Sequence, residues 1–224
     1  MRYYVYLSET KIDMLFGQIP RAARDDLSAE FKINLGVVSS SVRGGERSTQ
    51  QRRVLAIDKY LRSQRMVGTV DEPAEYFEGS LSMRWGPLDK GPAVLFTGST
   101  DRTVLALGGS LRHVLGGSPG EGGLGFVSGT PFLIAALGED VPGLVLSEVD
   151  QSNMEAQLAS GRSATDSALM LVDFAHEWMR SPEQRLTFLA KRLLWSGGDP
   201  ALPRSDKGGR HLLLGSPVYV AQVD

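Results

Sequence analysis

The chain has no cysteine, which excludes a disulfide framework and thiolate metal sites. Histidine is scarce: three in 224 residues. His113, His176 and His211 lie far apart and show no H-E-x-x-H or similar spacing, so no metal centre is expected. No apolar run approaches the ~20 residues of a membrane span. The opening RYYVYLSETK carries one basic residue and then an aromatic strand, without the apolar core of an export signal. The default location is therefore cytoplasmic, and the arginine-rich, lysine-poor usage points to a bacterium. Charge of one sign is also missing. With 24 basic and 26 acidic residues the formal net charge is −2, which gives no general attraction to nucleic acid or anionic lipid.

What is present is enough for a sizeable core: 42% hydrophobic and 22% charged residues over 224 positions. A single compact domain over residues 1–224 is expected. Glycine is abundant and clustered. Eleven of the 26 glycines fall between Gly91 and Pro131, where an average stretch holds about three. Glycine gathers where the backbone turns sharply or approaches something closely, so this region is the first place to look for a ligand. Residues 116–130 read as a mobile Gly-rich loop within the domain.

Tyr3 to Leu7 reads as a strand apolar on both faces, hence central. Ser8 is a candidate N-cap for a short helix carrying Ile12, Leu15 and Phe16. Phe31 to Val37 alternates as a strand with one wet face. Ser48 and Gln51 form a capping-box signature ahead of a long helix from about Thr49 to Met66. Between Ser41 and Met66 seven basic residues face two acidic ones, and the acidic stretch Asp71 to Glu78 is their simplest partner. Leu81, Met83 and Trp85 alternate as another strand, and Ala93–Thr97 with Thr103–Leu107 suit a hairpin.

The last third reads as helical. Ala168, Leu171, Val172, Ala175, Trp178 and Met179 make one apolar stripe. Ser181, Pro182 and Gln184 then signal a second helix carrying Leu186, Leu189, Ala190, Leu193 and Leu194, stopped at Gly197. HLLLGSPVYVAQV adds a strand at the end of the sheet. The fold class expected is α+β or α/β: a mixed sheet of about six or seven strands, one long central helix and a C-terminal helix pair.

The sharpest local site is Leu107 to Gly116. If a strand ends at Leu107 and a helix begins after Ser110, Gly108 and Gly109 present bare amides at a helix N-terminus, where an anion binds readily. The segment lacks the Lys-Ser/Thr pair of a P-loop and the three-glycine dinucleotide spacing, so no cofactor is implied. A tight turn with a serine cap accounts for the same residues. Arg84, Arg102 and Arg112 could converge with His113 on a phosphate or carboxylate, whose geometry a guanidinium fork matches. Ser110 and His113, three apart, with Asp101 as a conceivable third member, offer a catalytic alternative, although no G-x-S-x-G elbow surrounds the serine.

YYVYLSETKIDMLFGQIP, FEGSLSMRWGP, LGGSLRHVLG and LLGSPVYVAQ together resemble domain of unknown function family 7019, proteins of about this length found largely in filamentous actinobacteria. The resemblance covers nearly the whole chain and implies a single domain with a regulatory or sensing role. It transfers no catalytic residue. Three functions are expected. The first is a non-catalytic binding or regulatory module for a small anionic ligand such as a nucleotide, held by Gly108, Gly109, Ser110, Arg112, His113, Arg84 and Arg102. The second is a hydrolase or transferase using His113 and Ser110. The third is an interaction subunit whose C-terminal helices or final strand bind a protein partner or a second copy.

Overall fold

The computed structural model describes residues 2–24, 45–88, 92–116, 181–197 and 210–223, together with residues 168–179 except 170, 174 and 178. The strand expected from Phe31 and the Gly-rich loop beyond Gly116 lie outside the described residues.

Among the described residues seven strands form: β1 (Arg2–Leu7), β2 (Val67–Gly68), β3 (Tyr76–Pro87), β4 (Ala93–Ser99), β5 (Thr103–Ser110), β6 (Gln184–Trp195) and β7 (His211–Val223). Their order is β1-β7-β5-β4-β3-β2, and β6 pairs with both β3 and β7. That double pairing closes β3, β4, β5, β7 and β6 into a five-stranded barrel. The fold is therefore mainly β, which corrects the expectation of an α+β or α/β sheet with a central helix. The helices α1 (Glu9–Gln18) and α2 (Gly45–Ser63) pack on the outside of the barrel.

The second helix of the expected C-terminal pair does not exist. Its residues are β6, antiparallel to β3 from Leu186↔Leu81 to Lys191↔Tyr76 and to β7 along most of its length. The helix-like spacing of its leucines arises because Leu189 is buried on the face opposite Leu186, Phe188 and Ala190, although Arg185 and Lys191 on that same face are exposed. Leu186, Phe188 and Ala190 point to the barrel core, while Leu189 joins the layer under α1 and α2. One buried leucine on the outer face interrupts the alternation that would mark a strand.

Two further placements reverse expectation. β7 is not at the end of the sheet: it is flanked by β6 on one side and by β5 and β1 in succession on the other. β1, expected to be central, ends the strand order, with one isolated bridge from Tyr6 to Val114 beyond it. The β4–β5 hairpin forms as the sequence implies, in register from Ala93↔Ser110 to Ser99↔Val104.

The barrel interior is filled by Phe77, Met83, Val94, Phe96, Leu105, Leu107, Leu186, Phe188 and Leu213, all fully buried. Each large apolar side chain so buried contributes about 1.5–3 kcal/mol. A filled barrel of this size is a core and not a channel. Two outer layers cover it. Ile12, Leu15, Val54, Ile57 and Leu61 of α1 and α2 lie on Tyr4, Leu189, Tyr219 and Ala221. The described residues of 168–177 are helical, and Ala168, Leu169, Leu171 and Val172 cover Leu95, Ala106, Leu212 and Leu214. Asp58, 8% exposed, ties α2 to its surroundings through Arg62 at 3.0 Å and Arg2 at 3.9 Å. Arg62 also pairs with Glu78 of β3, so the basic helix does meet the acidic stretch at this point.

Candidate anion-binding site

Gly108 and Gly109 do not sit at a helix N-terminus. They belong to β5 and pair with Leu95 and Val94 of β4, so their place is in the sheet ladder and not in a loop. Past Ser110 the chain makes a single 3₁₀ turn, Leu111–His113, and the Ser110 hydroxyl does not cap it. The glycine at 109 serves a close approach of a different kind. A Cβ there would lie 2.5 Å from the Tyr6 hydroxyl and 2.7 Å from its ring carbon Cζ.

Tyr6 closes this end of the barrel. Its ring is fully buried and meets Phe96 edge-on at 5.8 Å and His113 at 5.9 Å. Burial pushes its phenol up to about 12, against smaller lowering effects of the Ser8 side chain, the Ser110 backbone and Arg112. The Ser8 hydroxyl and the Ser110 backbone thus lie beside Oη, although Oη makes no hydrogen bond of normal geometry among the described residues.

Ser8 occupies the N-cap position of α1 but makes no side-chain capping bond. Its backbone N–H donates to the Val218 carbonyl at 2.9 Å, which fixes the start of α1 against β7. One helical turn on, Lys11 Nζ donates to the Pro217 carbonyl at 3.3 Å and approaches Ser8 Oγ at 3.5 Å. Burial lowers this lysine to about 8. His113 is 8% exposed. Burial lowers its pKa first, then the charges of Arg112 and Lys11, with Glu9 opposing. Two segments just over a hundred residues apart in sequence thus meet at one end of the barrel. α1 brings Lys11 and Ser8, and the turn after β5 brings Arg112 and His113.

The other expected contributors are elsewhere. Arg84 Nη1 donates to the carbonyls of His176 and Met179, both at 3.3 Å, and so anchors the helical cover. Arg102 and Asp101 are exposed in the β4–β5 turn, at the opposite end of β5 from Ser110 and roughly 25 Å away at strand rise. Asp101 therefore completes no triad with Ser110 and His113. Ser110 Oγ is buried and has no hydrogen-bond partner among the described residues, so no bond to His113 activates it. Of the expected site residues, Gly109 packs against Tyr6, the Ser110 backbone lies beside its hydroxyl, and Arg112 and His113 follow in the 3₁₀ turn.

Sequence reasoning missed Tyr6, Ser8 and Lys11. The available signal was SETK at a strand-to-helix junction, but its link to residue 113 depends on β1 and β5 both lying along β7. No group of three or more His, Asp or Glu suited to a metal occurs among the described residues, and no helix there is long and apolar enough to cross a membrane.

The model of a family of unknown function, DUF7019, matches residues 2–224, as the sequence resemblance implied. No curated protein and no solved structure is significantly similar to the chain. The chain belongs to this family.

Proposed function

We propose that this family member is a binding or regulatory module that takes a small phosphate- or carboxylate-bearing ligand, such as a nucleotide, where α1 meets the turn after β5. The observation that carries this reading is that Ser8 and Lys11 share one end of the barrel with Arg112 and His113: the Tyr6 ring meets His113 at 5.9 Å, and Lys11 Nζ lies 3.5 Å from Ser8 Oγ. Like charges brought together next to hydroxyl groups cost folding energy, and an anion offsets that cost when it binds. Lys11 and Arg112 supply charge at the rim, and the Ser8 hydroxyl and His113 imidazole supply directed donors. The site proposed differs from the one the glycine pattern implied: its donors are side chains, and Gly109 of β5 makes room for Tyr6.

Calorimetric titration of the protein with inorganic phosphate and with ATP tests the proposal. Binding to the wild type, weakened at least tenfold in both Lys11→Met and His113→Ala, is the expected result. Affinity should also rise as pH falls below 6.5, because His113 gains its proton there. Absence of heat with either compound, or equal affinity in the two variants, would remove the site.

A further inference from the structure

We infer that the end of the barrel opposite Ser110 carries a second binding site, a cavity that takes a small hydroxylated amine as its ammonium ion. This inference goes beyond the anion site and does not depend on it. The cavity has a volume of about 450 Å³, within the range of small-molecule pockets. Among the described residues its polar lining is Thr69, Asp71, Glu78, Ser80, Thr100 and Thr187. It opens at a gap in the sheet. β6 pairs with β3 from Tyr76 to Met83 and so takes one edge of that strand, whereas β2 takes the other edge only at Tyr76 and Phe77, and β4 only from Met83 onward. Residues 78–82 thus have no ladder partner on that edge among the described residues. The Tyr76 N–H points to it, donating to the Met66 carbonyl at 2.9 Å, and strand alternation turns the backbone groups of Glu78 and Ser80 the same way. Val70, 4% exposed, belongs to the barrel core and closes the floor.

The chemistry of the lining selects the ligand. None of these residues is basic. Of the two carboxylates Glu78 is spent, because both its oxygens accept from Arg62. Asp71 is not. Its Oδ1 accepts the hydroxyls of Thr100 at 2.6 Å and Thr103 at 2.7 Å, which fixes the carboxylate and leaves Oδ2 without a partner among the described residues. Thr100 is held in turn, since its oxygen accepts the N–H groups of Arg102 at 3.2 Å and Thr103 at 2.9 Å. The cavity therefore presents one fixed negative charge that no cation offsets, beside the Ser80 and Thr187 hydroxyls and the open edge of β3. An ammonium group has three donors and no acceptor, which suits a carboxylate, hydroxyl oxygens and backbone carbonyls. Hydroxyls on the same molecule match the remaining donors and acceptors, and the preset position of Asp71 lowers the ordering cost of binding. An anion is repelled. A calcium ion calls for about six to eight oxygens, commonly from several carboxylates, and only one carboxylate here is unspent.

The test is an amide NMR titration of the full chain in mildly acidic buffer, run separately with glucosamine, glucose and calcium chloride. Glucosamine and glucose form a matched pair that differs by the ammonium group. The expected result is saturable shifts at the amides of Thr69, Asp71, Glu78 and Ser80 with glucosamine, and affinity at least tenfold weaker with glucose. Asp71→Asn keeps an oxygen for the two threonine hydroxyls and removes the charge, so the fold should persist while glucosamine affinity falls at least tenfold. Ser80→Leu, at an exposed position on the rim, should block binding as well, and it decides the matter if Asp71→Asn does not fold. No saturable shift with glucosamine, shifts confined to another part of the surface, or undiminished affinity in the variants would overturn the inference. Equal affinity for glucose would make this a neutral-sugar site, and a response to calcium chloride alone a metal site; either result removes the ammonium ligand.

Discussion

Gly109 lies against the ring of Tyr6, with no room between them for a methyl group. Tyr6 is fully buried, wedged between Phe96 and His113, so it cannot yield without opening the end of the barrel. Gly109→Ala is therefore expected to cost about 1–3 kcal/mol, the range for overpacking a closed core. Tyr6→Phe alone should be nearly neutral, since Oη makes no hydrogen bond of normal geometry, and should recover part of the loss in the double variant because it removes the atom at 2.5 Å. A urea double-mutant cycle measures this coupling. Additive effects would mean that the methyl group is accommodated by backbone movement.

The buried basic groups predict the pH dependence of stability. Lys11 stands at about 8 in the folded chain against 10.5 for its ordinary value. The unfolded chain thus holds more protons between these values, and stability climbs with pH across that window. His113 is likewise lowered from 6.5, so stability also climbs as pH rises through its folded pKa toward 6.5, and is lost again on acidification. Tyr6 works the other way. Its phenol is raised from 10.0 to about 12, so stability falls once the unfolded phenol ionises above 10. Denaturation at pH 7.5 to about 9.5 should show a rise in the wild type that Lys11→Met abolishes.

How far the sequence could be read depended on what each pattern responds to. The β4–β5 hairpin was legible because two apolar runs flank a short polar turn, which is local information. β6 was not, because Leu189, buried on the outer face between inward-facing Phe188 and Ala190, breaks the strand period, and Ser181-Pro182 imitates a helix start. At Gly109 the backbone does have a close neighbour. The approaching group is the chain's own Tyr6, about a hundred residues away, and no local pattern tells a ligand from a distant side chain. Lys11 is the same case in reverse: its position in a short amphipathic helix says nothing until β7 places Pro217 beside it.

Arg62 links α2 to β3 through one guanidinium. Its Nε donates to Asp58 at 3.0 Å within α2, while its terminal nitrogens grip Glu78 of β3. Asp58 is nearly buried, so losing this partner leaves a carboxylate dependent on Arg2 at 3.9 Å. Arg62→Ala should cost about 1–3 kcal/mol, the range for a buried acceptor left short of a partner. Arg62→Lys should recover less than half, because a single ammonium cannot serve two carboxylates from fixed directions as the planar fork does. Equal stability of the lysine variant and the wild type would show that charge alone matters here.

Thr97 and His176 join the helical cover to the barrel wall, with Thr97 Oγ1 2.9 Å from His176 Nδ1. The other ring nitrogen faces Glu183 at 3.6 Å, and Glu183 is itself held by the Ser82 hydroxyl at 2.9 Å. This resembles a hydroxyl–imidazole–carboxylate relay, but Thr97 is fully buried, so its hydroxyl has no access to a substrate and acts as a fastening. Among the described residues the apolar part of the cover includes Ala168, Leu169, Leu171 and Val172, with Ala175 and Met179 packed against the same cluster, and the Thr97–His176 bond adds a polar fastening to it. Thr97→Val keeps the volume and removes the bond, at a local cost of about 1 kcal/mol, or about fivefold in the opening equilibrium. Hydrogen exchange should therefore quicken about fivefold across 168–177 while the amides of β5 and β7 keep their protection. If the rates in 168–177 do not change, apolar contact and the two Arg84 hydrogen bonds to the His176 and Met179 carbonyls hold the cover without the threonine.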